Sequence, residues 1–458
     1  MTLSRRRFLG SAAAITAGFA GLRCTSGRPP DDPLGVGYGP LLGDADGLLA
    51  LPEGFRYTVV SRFGERMDDG LLVPADHDGM ATFPGPDGLT VLVRNHEVNA
   101  DADPEEGPFG PGNRLLTPAI RDRLYDRGRG GGPALGGTTT LLFDTARQRL
   151  VGHHLSVGGT LRNCAGGPTP WGSWITCEET VVRAGTDFER DHGYVFEVPA
   201  GGRGLTPAVA LTALGRFNHE AVAVDPASGV VYQTEDDSEG LLYRFIPEEP
   251  GALIRGGRLQ ALAIRGMPSL DTRNQDGDTV AVGEHLEAAW IDLDDVEAPD
   301  DDLRFRGFAA GAARFARGEG IWYGNDAVYF ACTNGGSARK GQIFRYTPSP
   351  FEGTPREAEA PGRLELFVEP NDGTLVENAD NLTVAPWGDL VVCEDGSGDN
   401  YLVGITPTGA IYKLALNLTP GEFAGACFSP DGGTFFVNLQ SQGYTLAITG
   451  PWHALRRD

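Results

Sequence analysis

The sequence has no long hydrophobic run, and its most apolar stretch near the start, residues 12–20, is short and rich in Ala and Gly. A membrane-spanning helix needs about 20 apolar residues, so we expect no stable membrane insertion of the mature chain. Cysteine is scarce, with 6 residues among 458, which is too few for a disulfide scaffold. Acidic residues outnumber basic ones and give a formal net charge of −24, which excludes nucleic acid as an expected partner.

Several familiar catalytic motifs are absent as well. No G-x-S-x-G elbow, P-loop or G-x-G-x-x-G stands between a strand and a helix, so acyl-serine and nucleotide-dependent chemistry lack support. The pairs His96-Glu97 and His219-Glu220 are not followed by the second histidine that a zincin helix requires.

The N-terminal residues have the pattern of a twin-arginine export signal. Arg5, Arg6 and Arg7 stand ahead of the short apolar stretch. We therefore expect residues 1–28 to be a signal peptide read by the twin-arginine translocase, and the protein to be periplasmic or secreted. Cys24 follows an arginine, which makes a poor lipid-attachment site. This route carries folded proteins, which favours a cofactor loaded before export.

The rest of the chain has an all-β composition. It contains 66 Gly and 32 Pro, and most apolar runs are only four to seven residues long. A turn, a β-rich run and a polar ending recur in six copies, at residues 85–97, 169–179, 225–237, 323–336, 385–396 and 429–443. A second unit, a glycine followed by an apolar and aromatic strand, recurs at 192–198, 239–247, 340–348 and 409–416.

These repeats predict a β-propeller, which we expect to be six-bladed, with helical and loop insertions. In a propeller, equivalent strand ends converge on one mouth of the central channel, which would explain six polar endings. We expect residues 29–45 to be a linker and 46–458 a single propeller domain. Insertions at 101–132, where Thr117 and Pro118 could begin a helix, and at 266–312 are either surface loops or a lid over the channel mouth.

Acidic residues are concentrated at the predicted strand ends. Packed around one channel they would repel one another unless cations lay among them. Oxygen ligands suit calcium, while a thiolate beside carboxylates suits a transition metal such as iron, and Cys164 is the best thiolate candidate. The acidic candidates are Glu97, Glu178, Glu179, Glu220, Glu235, Asp236, Asp237, Glu319, Glu394 and Asp395.

Three segments resemble PhoX-type alkaline phosphatases: GTLRNCAGGPTPWGSWITCEE (159–179), GRFNHEAVAVDPASGVVYQTED (215–236) and DNLTVAPWGDLVVCED (380–395). The resemblance implies a propeller with an iron and calcium cluster that hydrolyses small phosphate monoesters at its mouth. It implies that Cys164 binds iron, that Glu179, Glu220 and Asp236 are cluster positions, and that Arg317 holds phosphate beside the metal ligand Glu319.

The sequence departs from that pattern at two places. Gly318 and Gly320 stand where the family has Pro and Trp, and Arg162 stands where an asparagine often occurs. His219 or His96 could protonate the leaving group, or could be structural. The alternatives are diester hydrolysis, a calcium-dependent lactonase or phosphotriesterase, and a non-catalytic binding propeller.

Overall fold

The computed structural model describes residues 35–43, 47–130, 132–454 and 456. The predicted export signal, with Arg5, Arg6 and Cys24, lies outside these residues. Strands predominate, and the α-helices found in the described ranges are α1 (Pro118–Arg121) and α2 (Leu303–Ala309). Neither helix, nor any other in those ranges, has the length and apolarity that crossing a membrane requires. Short 3₁₀ turns lie at Pro86–Gly88, Pro111–Asn113, Thr212–Leu214, Leu253–Arg255 and Glu357–Glu359.

The strands form successive antiparallel units around one axis. The chain begins with β1 (Leu41–Gly43), β2 (Leu49–Pro52) and β3 (Arg56–Arg62). The first blade contains β4 (His77–Pro84), β5 (Thr90–His96), β6 (Gly136–Asp144) and β7 (Arg149–Thr160). The second blade contains β8 (Asn163–Pro168), β9 (Ser173–Glu178) and β10 (Val195–Pro199). The third blade contains β11 (His219–Val224), β12 (Val231–Glu235), β13 (Leu242–Pro247), β14 (Gly257–Ile264) and β15 (His285–Asp292).

The remaining blades follow the same order along the chain. The fourth blade contains β16 (Gly318–Gly324), β17 (Ala327–Cys332), β18 (Gln342–Thr347) and β19 (Arg363–Val368). The fifth contains β20 (Ala379–Val384), β21 (Leu390–Glu394), β22 (Tyr401–Ile405) and β23 (Ile411–Asn417). The sixth contains β24 (Phe423–Phe428), β25 (Thr434–Leu439) and β26 (Tyr444–Thr449), and β3 pairs with β26 as its outer strand.

The inner strand of each blade packs against the inner strands of its two neighbours. Contacts run from β4 to β8, β11, β16, β20 and β24, and then back to β4, so the ring closes. Outer strands connect the third and fourth blades, because β15 pairs with β19, and β2 extends the fifth blade by pairing with β23. The predicted all-β propeller is therefore confirmed. Each predicted polar ending follows the second strand of a blade.

Two glycines of β8 let neighbouring strands pack closely against it. A Cβ at Gly166 would lie 1.9 Å from the carbonyl oxygen of Ile175, and one at Gly167 would lie 1.9 Å from that of Val222. The glycines that follow Cys164 thus admit the backbone of neighbouring strands. A cavity of about 10 Å³ lies between these strands, lined in part by Ala165, Gly166 and Ala221.

The insertions contain more regular structure than the sequence suggested. Thr117 caps α1 as predicted, since its Oγ1 accepts a hydrogen bond from Ile120 N at 3.3 Å. The segment 266–312 was interpreted as a loop or lid, but it contributes β15 and α2. Strand β15 lies between β14 and β19, on the outer side of the third and fourth blades.

Candidate metal centre

One local backbone arrangement recurs in every described blade. The register between the first and second strands shifts after the first residue pair in the first five blades and after the second pair in the sixth. Such β-bulges bend a strand and redirect its side chains, and they are common beside active sites. The residue after the second strand donates its N–H to the carbonyl of the residue before the first strand, as Glu179 does to Arg162 at 2.9 Å and Asp395 to Asn378 at 3.0 Å.

This arrangement brings three positions of each blade to the channel mouth. They are the residue before the inner strand, the second residue of that strand, and the residue after the second strand. Four overlapping groups of potential ligands occupy these positions, and within each group the ligand atoms lie within 4.8 Å of one another. We call their nine members the acidic cluster: Asp78, Glu97, Cys164, Glu179, Glu220, Glu319, Asp380, Asp395 and Glu422.

The acidic cluster is a site of strong like-charge repulsion. At the 4.8 Å limit of each group, two full negative charges repel by about 3.5 kcal/mol at an effective dielectric constant of about 20. Burial and then neighbouring carboxylates raise the pKa of Asp380 to about 7 and that of Glu422 to about 11. The same two causes raise the pKa of Asp78, Glu179, Glu220 and Glu319 well above the usual range.

Glu220 is the member of the acidic cluster best suited to hold a cation. Its side chain is 1% exposed, yet neither carboxylate oxygen has a hydrogen-bond partner among the described residues, apart from the neighbouring Cys164 thiol. A buried carboxylate without partners is costly, and a metal ion would satisfy it. The cluster offers carboxylate oxygens and one thiol, a donor set that fits hard cations together with a thiolate-accepting metal.

Two polar side chains donate hydrogen bonds to the backbone of the acidic cluster. Each lies two residues before the residue that follows a second strand. Asn95 Nδ2 donates to the Ala165 carbonyl at 2.6 Å and to the Cys164 carbonyl at 3.2 Å. In the same way, Thr234 Oγ1 donates to the Glu319 carbonyl at 2.6 Å. Each bond runs from one blade to the next, so neighbouring blades fix the positions of each other's ligands.

Three predicted ligands are the last residues of second strands, and the structure does not bring them together with the acidic cluster: Glu178, Glu235 and Glu394. Glu178 pairs with buried His192 at 2.7 Å, Glu235 accepts a hydrogen bond from Tyr243 Oη at 2.7 Å, and Glu394 pairs with Lys413 at 2.8 Å. Consecutive strand residues point to opposite faces, so these carboxylates turn into their own blades while the following residue turns to the mouth.

Arg317 and Asp236 lie together at the edge of the acidic cluster. The Arg317 Nε and Nη2 atoms donate to the two Asp236 oxygens at 2.7 and 2.8 Å, and Nη2 also lies 2.9 Å from Glu319 Oε1. Arg317 is 39% exposed, whereas Asp236 and Glu319 are 9% and 6% exposed. The guanidinium is therefore held by buried carboxylates and remains accessible from the mouth.

The two candidate proton donors are enclosed by protein. His219 bonds the Gly215 carbonyl at 3.1 Å, its ring stacks on Phe217 at 3.6 Å, and burial lowers its pKa to about 3. His96 bonds the Ala75 carbonyl and Thr139 Oγ1, both at 2.9 Å, and burial lowers its pKa well below the usual range. This geometry favours the structural alternative for both imidazoles.

The sequence interpretation overlooked three members of the acidic cluster, Asp78, Asp380 and Glu422. Asp78 and Asp380 occupy the same position in their inner strands as Cys164 and Glu220 do. A signal is present in the sequence, since each lies upstream of a polar ending in the same repeat. The polar endings alone do not reveal it, because these acids belong to the inner strand that precedes each ending.

The chain is similar to known proteins in sequence pattern and in fold. A family profile described as alkaline phosphatase PhoX matches residues 36–110 and 126–443. No curated protein sequence matches the chain. Pseudomonas fluorescens PhoX, solved in complex with vanadate as a transition-state analogue, has a TM-score of 0.65 and 18% identity, covering 91% of this chain and 98% of its own. A gluconolactonase from Xanthomonas campestris has a TM-score of 0.42 and 13% identity, covering 88% and 98% of the two chains.

Proposed function

The chain belongs to the PhoX family of alkaline phosphatases, and we propose that it hydrolyses small phosphate monoesters at the acidic cluster. This proposal rests on the buried carboxylate of Glu220. It lies beside the Cys164 thiol, and its two oxygens have no other hydrogen-bond partner among the described residues. The chain's net charge of −24 repels a phosphate at long range, so the site must supply local positive charge.

We propose that the bound metals are iron and calcium. Cys164 and Glu220 would hold iron, because a thiolate beside a carboxylate suits a transition metal. The group Asp380, Asp395 and Glu422 contains only carboxylates and would hold calcium. When bound, such ions neutralise phosphoryl oxygens and lower the pKa of water.

Arg317 would orient the substrate. Its planar guanidinium is fixed through Nε and Nη2 by Asp236, and its partial exposure lets its remaining donors reach an incoming phosphoryl group. Paired charge-assisted bonds from arginine to phosphate are strong and directional. Neutral, enclosed His219 and His96 would keep the backbone of the mouth in place.

The test is a screen of phosphate esters with metal analysis of the same preparation. We expect hydrolysis of p-nitrophenyl phosphate, loss of that activity with a calcium chelator, and both iron and calcium in the purified protein. Calcium alone with full activity would contradict the iron assignment and favour a calcium-dependent lactonase or phosphotriesterase. Absence of all ester hydrolysis by metal-loaded protein would contradict the proposed function.

We also propose export by the twin-arginine translocase to the periplasm or beyond, which rests on Arg5 and Arg6 in the sequence. Replacing both with Lys should leave the precursor in the cytoplasm. Fractionation of cells that produce the two forms measures this, and normal periplasmic levels of the variant would contradict the proposal.

A further inference from the structure

Arg162 occupies the position in the second blade that Arg317 occupies in the fourth. Each immediately precedes an inner strand, and each has a left-handed backbone, with φ of 43° and 54°. Asp76 and Asn378 fill the same position in the first and fifth blades, also with positive φ. Asp and Asn tolerate this conformation, whereas arginine has no backbone advantage there, so the reason for arginine lies in its side chain.

The Arg162 side chain reaches the acidic cluster at carboxylates other than those that Arg317 contacts. Its Nη2 lies 2.7 Å from Glu97 Oε1 and also contacts Glu179 Oε2. The side chain is 35% exposed, close to the 39% of Arg317. Its Nε is buried and has no hydrogen-bond partner in the part of the chain that the structure describes.

The third blade lies between the two arginines and supplies Glu220 and Asp236. Arg162 pairs with Glu179, Asp236 is close enough to Glu179 to raise the pKa of its carboxyl, and Asp236 pairs with Arg317. This continuous chain of charges passes along the mouth beside Glu220. Two guanidinium groups thus flank the carboxylate that we assign to the metal centre.

We propose that Arg162 is a second phosphoryl-binding residue, which together with Arg317 makes the site selective for dianionic phosphate monoesters over monoanionic diesters. The proposal rests on the proposed function and specifies its substrate class. A monoester has three terminal oxygens that share two negative charges at alkaline pH, and it can engage two arginines at once. A diester has two terminal oxygens with one charge, so it gains less from the second arginine.

The experiment compares a monoester with a diester. In metal-loaded Arg162→Gln we expect kcat/KM for p-nitrophenyl phosphate to fall roughly 10- to 100-fold, and that for bis(p-nitrophenyl) phosphate less than about threefold. Arg162→Lys should recover part of the loss, because an ammonium keeps the charge without the planar fork. Iron and calcium contents should equal those of the wild type.

Arg345 provides a matched control, since it is 27% exposed and pairs with Glu365 on outer strands away from the acidic cluster. Arg345→Gln should change neither rate more than about twofold. Equal losses on both esters, or loss of metal from Arg162→Gln, would overturn the proposal and leave Arg162 as a counter-ion of Glu97 and Glu179.

Binding of inorganic phosphate separates this proposal from the proposed function. Calorimetry on metal-loaded protein should give a dissociation constant at least about tenfold weaker for Arg162→Gln than for wild type. Equal constants would overturn the role of Arg162 even if ester hydrolysis were confirmed. A wild type that binds phosphate through Arg162 but hydrolyses no ester would contradict the proposed function alone.

Discussion

Replacing Glu220 with Gln tests the acidic cluster most directly. The amide keeps the shape of the side chain but removes the charge and one good ligand oxygen. Because neither carboxylate oxygen has a hydrogen-bond partner apart from the Cys164 thiol, the substitution breaks no other described hydrogen bond. We expect a folded protein that binds less metal and has lost most of its activity.

The size of the effect on stability follows from linkage between metal binding and folding. An ion present at 100 times its dissociation constant stabilises the fold by about 2.7 kcal/mol. An unfolding entropy of about 2.1 cal/mol/K per residue gives about 0.9 kcal/mol/K for roughly 420 residues, so losing one such ion lowers Tm by about 3 °C. In metal-stripped protein the difference should be small, because burial and neighbouring carboxylates raise the pKa of Glu220 and so favour its neutral form, which resembles the amide.

The assay combines elemental analysis, thermal unfolding with and without a chelator, and turnover of p-nitrophenyl phosphate. Wild type should lose about 3 °C per ion on chelation, whereas Glu220→Gln should respond less. Turnover of the variant should fall by about 10²- to 10³-fold, the loss typical of removing a group that supports transition-state charge.

Glu235→Gln is the matched control, because Glu235 is also fully buried at a strand end of the same blade. Its carboxylate accepts hydrogen bonds from Tyr243 Oη and Leu241 N, at 2.7 and 3.2 Å. The substitution should cost about 1–3 kcal/mol equally with and without chelator, with metal retained. If Glu235→Gln lost metal while Glu220→Gln kept it, our assignment of strand faces would be refuted.

Two further predictions concern substrate binding and pH. Arg317→Ala should lower kcat/KM for p-nitrophenyl phosphate roughly 30- to 1000-fold, and Arg317→Lys should recover only part of that loss. Steady-state kinetics measure both variants, and wild-type values for Arg317→Ala would show that Arg317 does not belong to the site. Metal-stripped protein should become less stable as the pH rises, because acids that are buried and neutral in the folded state must then ionise. The loss should begin near about pH 4, where the unfolded acids ionise, and continue through the raised pKa values of the folded state, such as about 7 for Asp380. Urea unfolding at pH 5 and pH 9 measures this, and equal stability would contradict the buried-acid argument.

The propeller was predictable because its signals are local and repeated. Turn residues and short β-rich runs mark each second strand, and strand propensity and polar endings follow from residue type alone. The strand pairing that closes the ring was not predictable, since β3 joins β26 from the other end of the chain. Pairings of such high sequence separation depend on the whole fold and leave no local pattern.

The site was predictable only in part, because register decides which of two neighbouring acids reaches the mouth. Glu178 and Glu179 are indistinguishable by type, yet the first is held by His192 and the second belongs to the acidic cluster. A one-residue shift exchanges the two faces of a strand. Cys164, Glu220 and Glu319 come from inner strands whose bulges set their direction, and bulges have no fixed sequence signature.

The distribution of the candidate ligands links the proposed metal binding to packing between blades. Members of the acidic cluster come from all six blades, and no described group of three is supplied by one blade alone. Each group therefore forms only when neighbouring blades pack against each other, so the proposed metal affinity depends on that packing. An ion that binds only the packed state stabilises it by mass action. Repulsion among the acids opposes this packing when metal is absent, so we expect blade packing and metal loading to occur together, as the proposed export of an already folded protein would need.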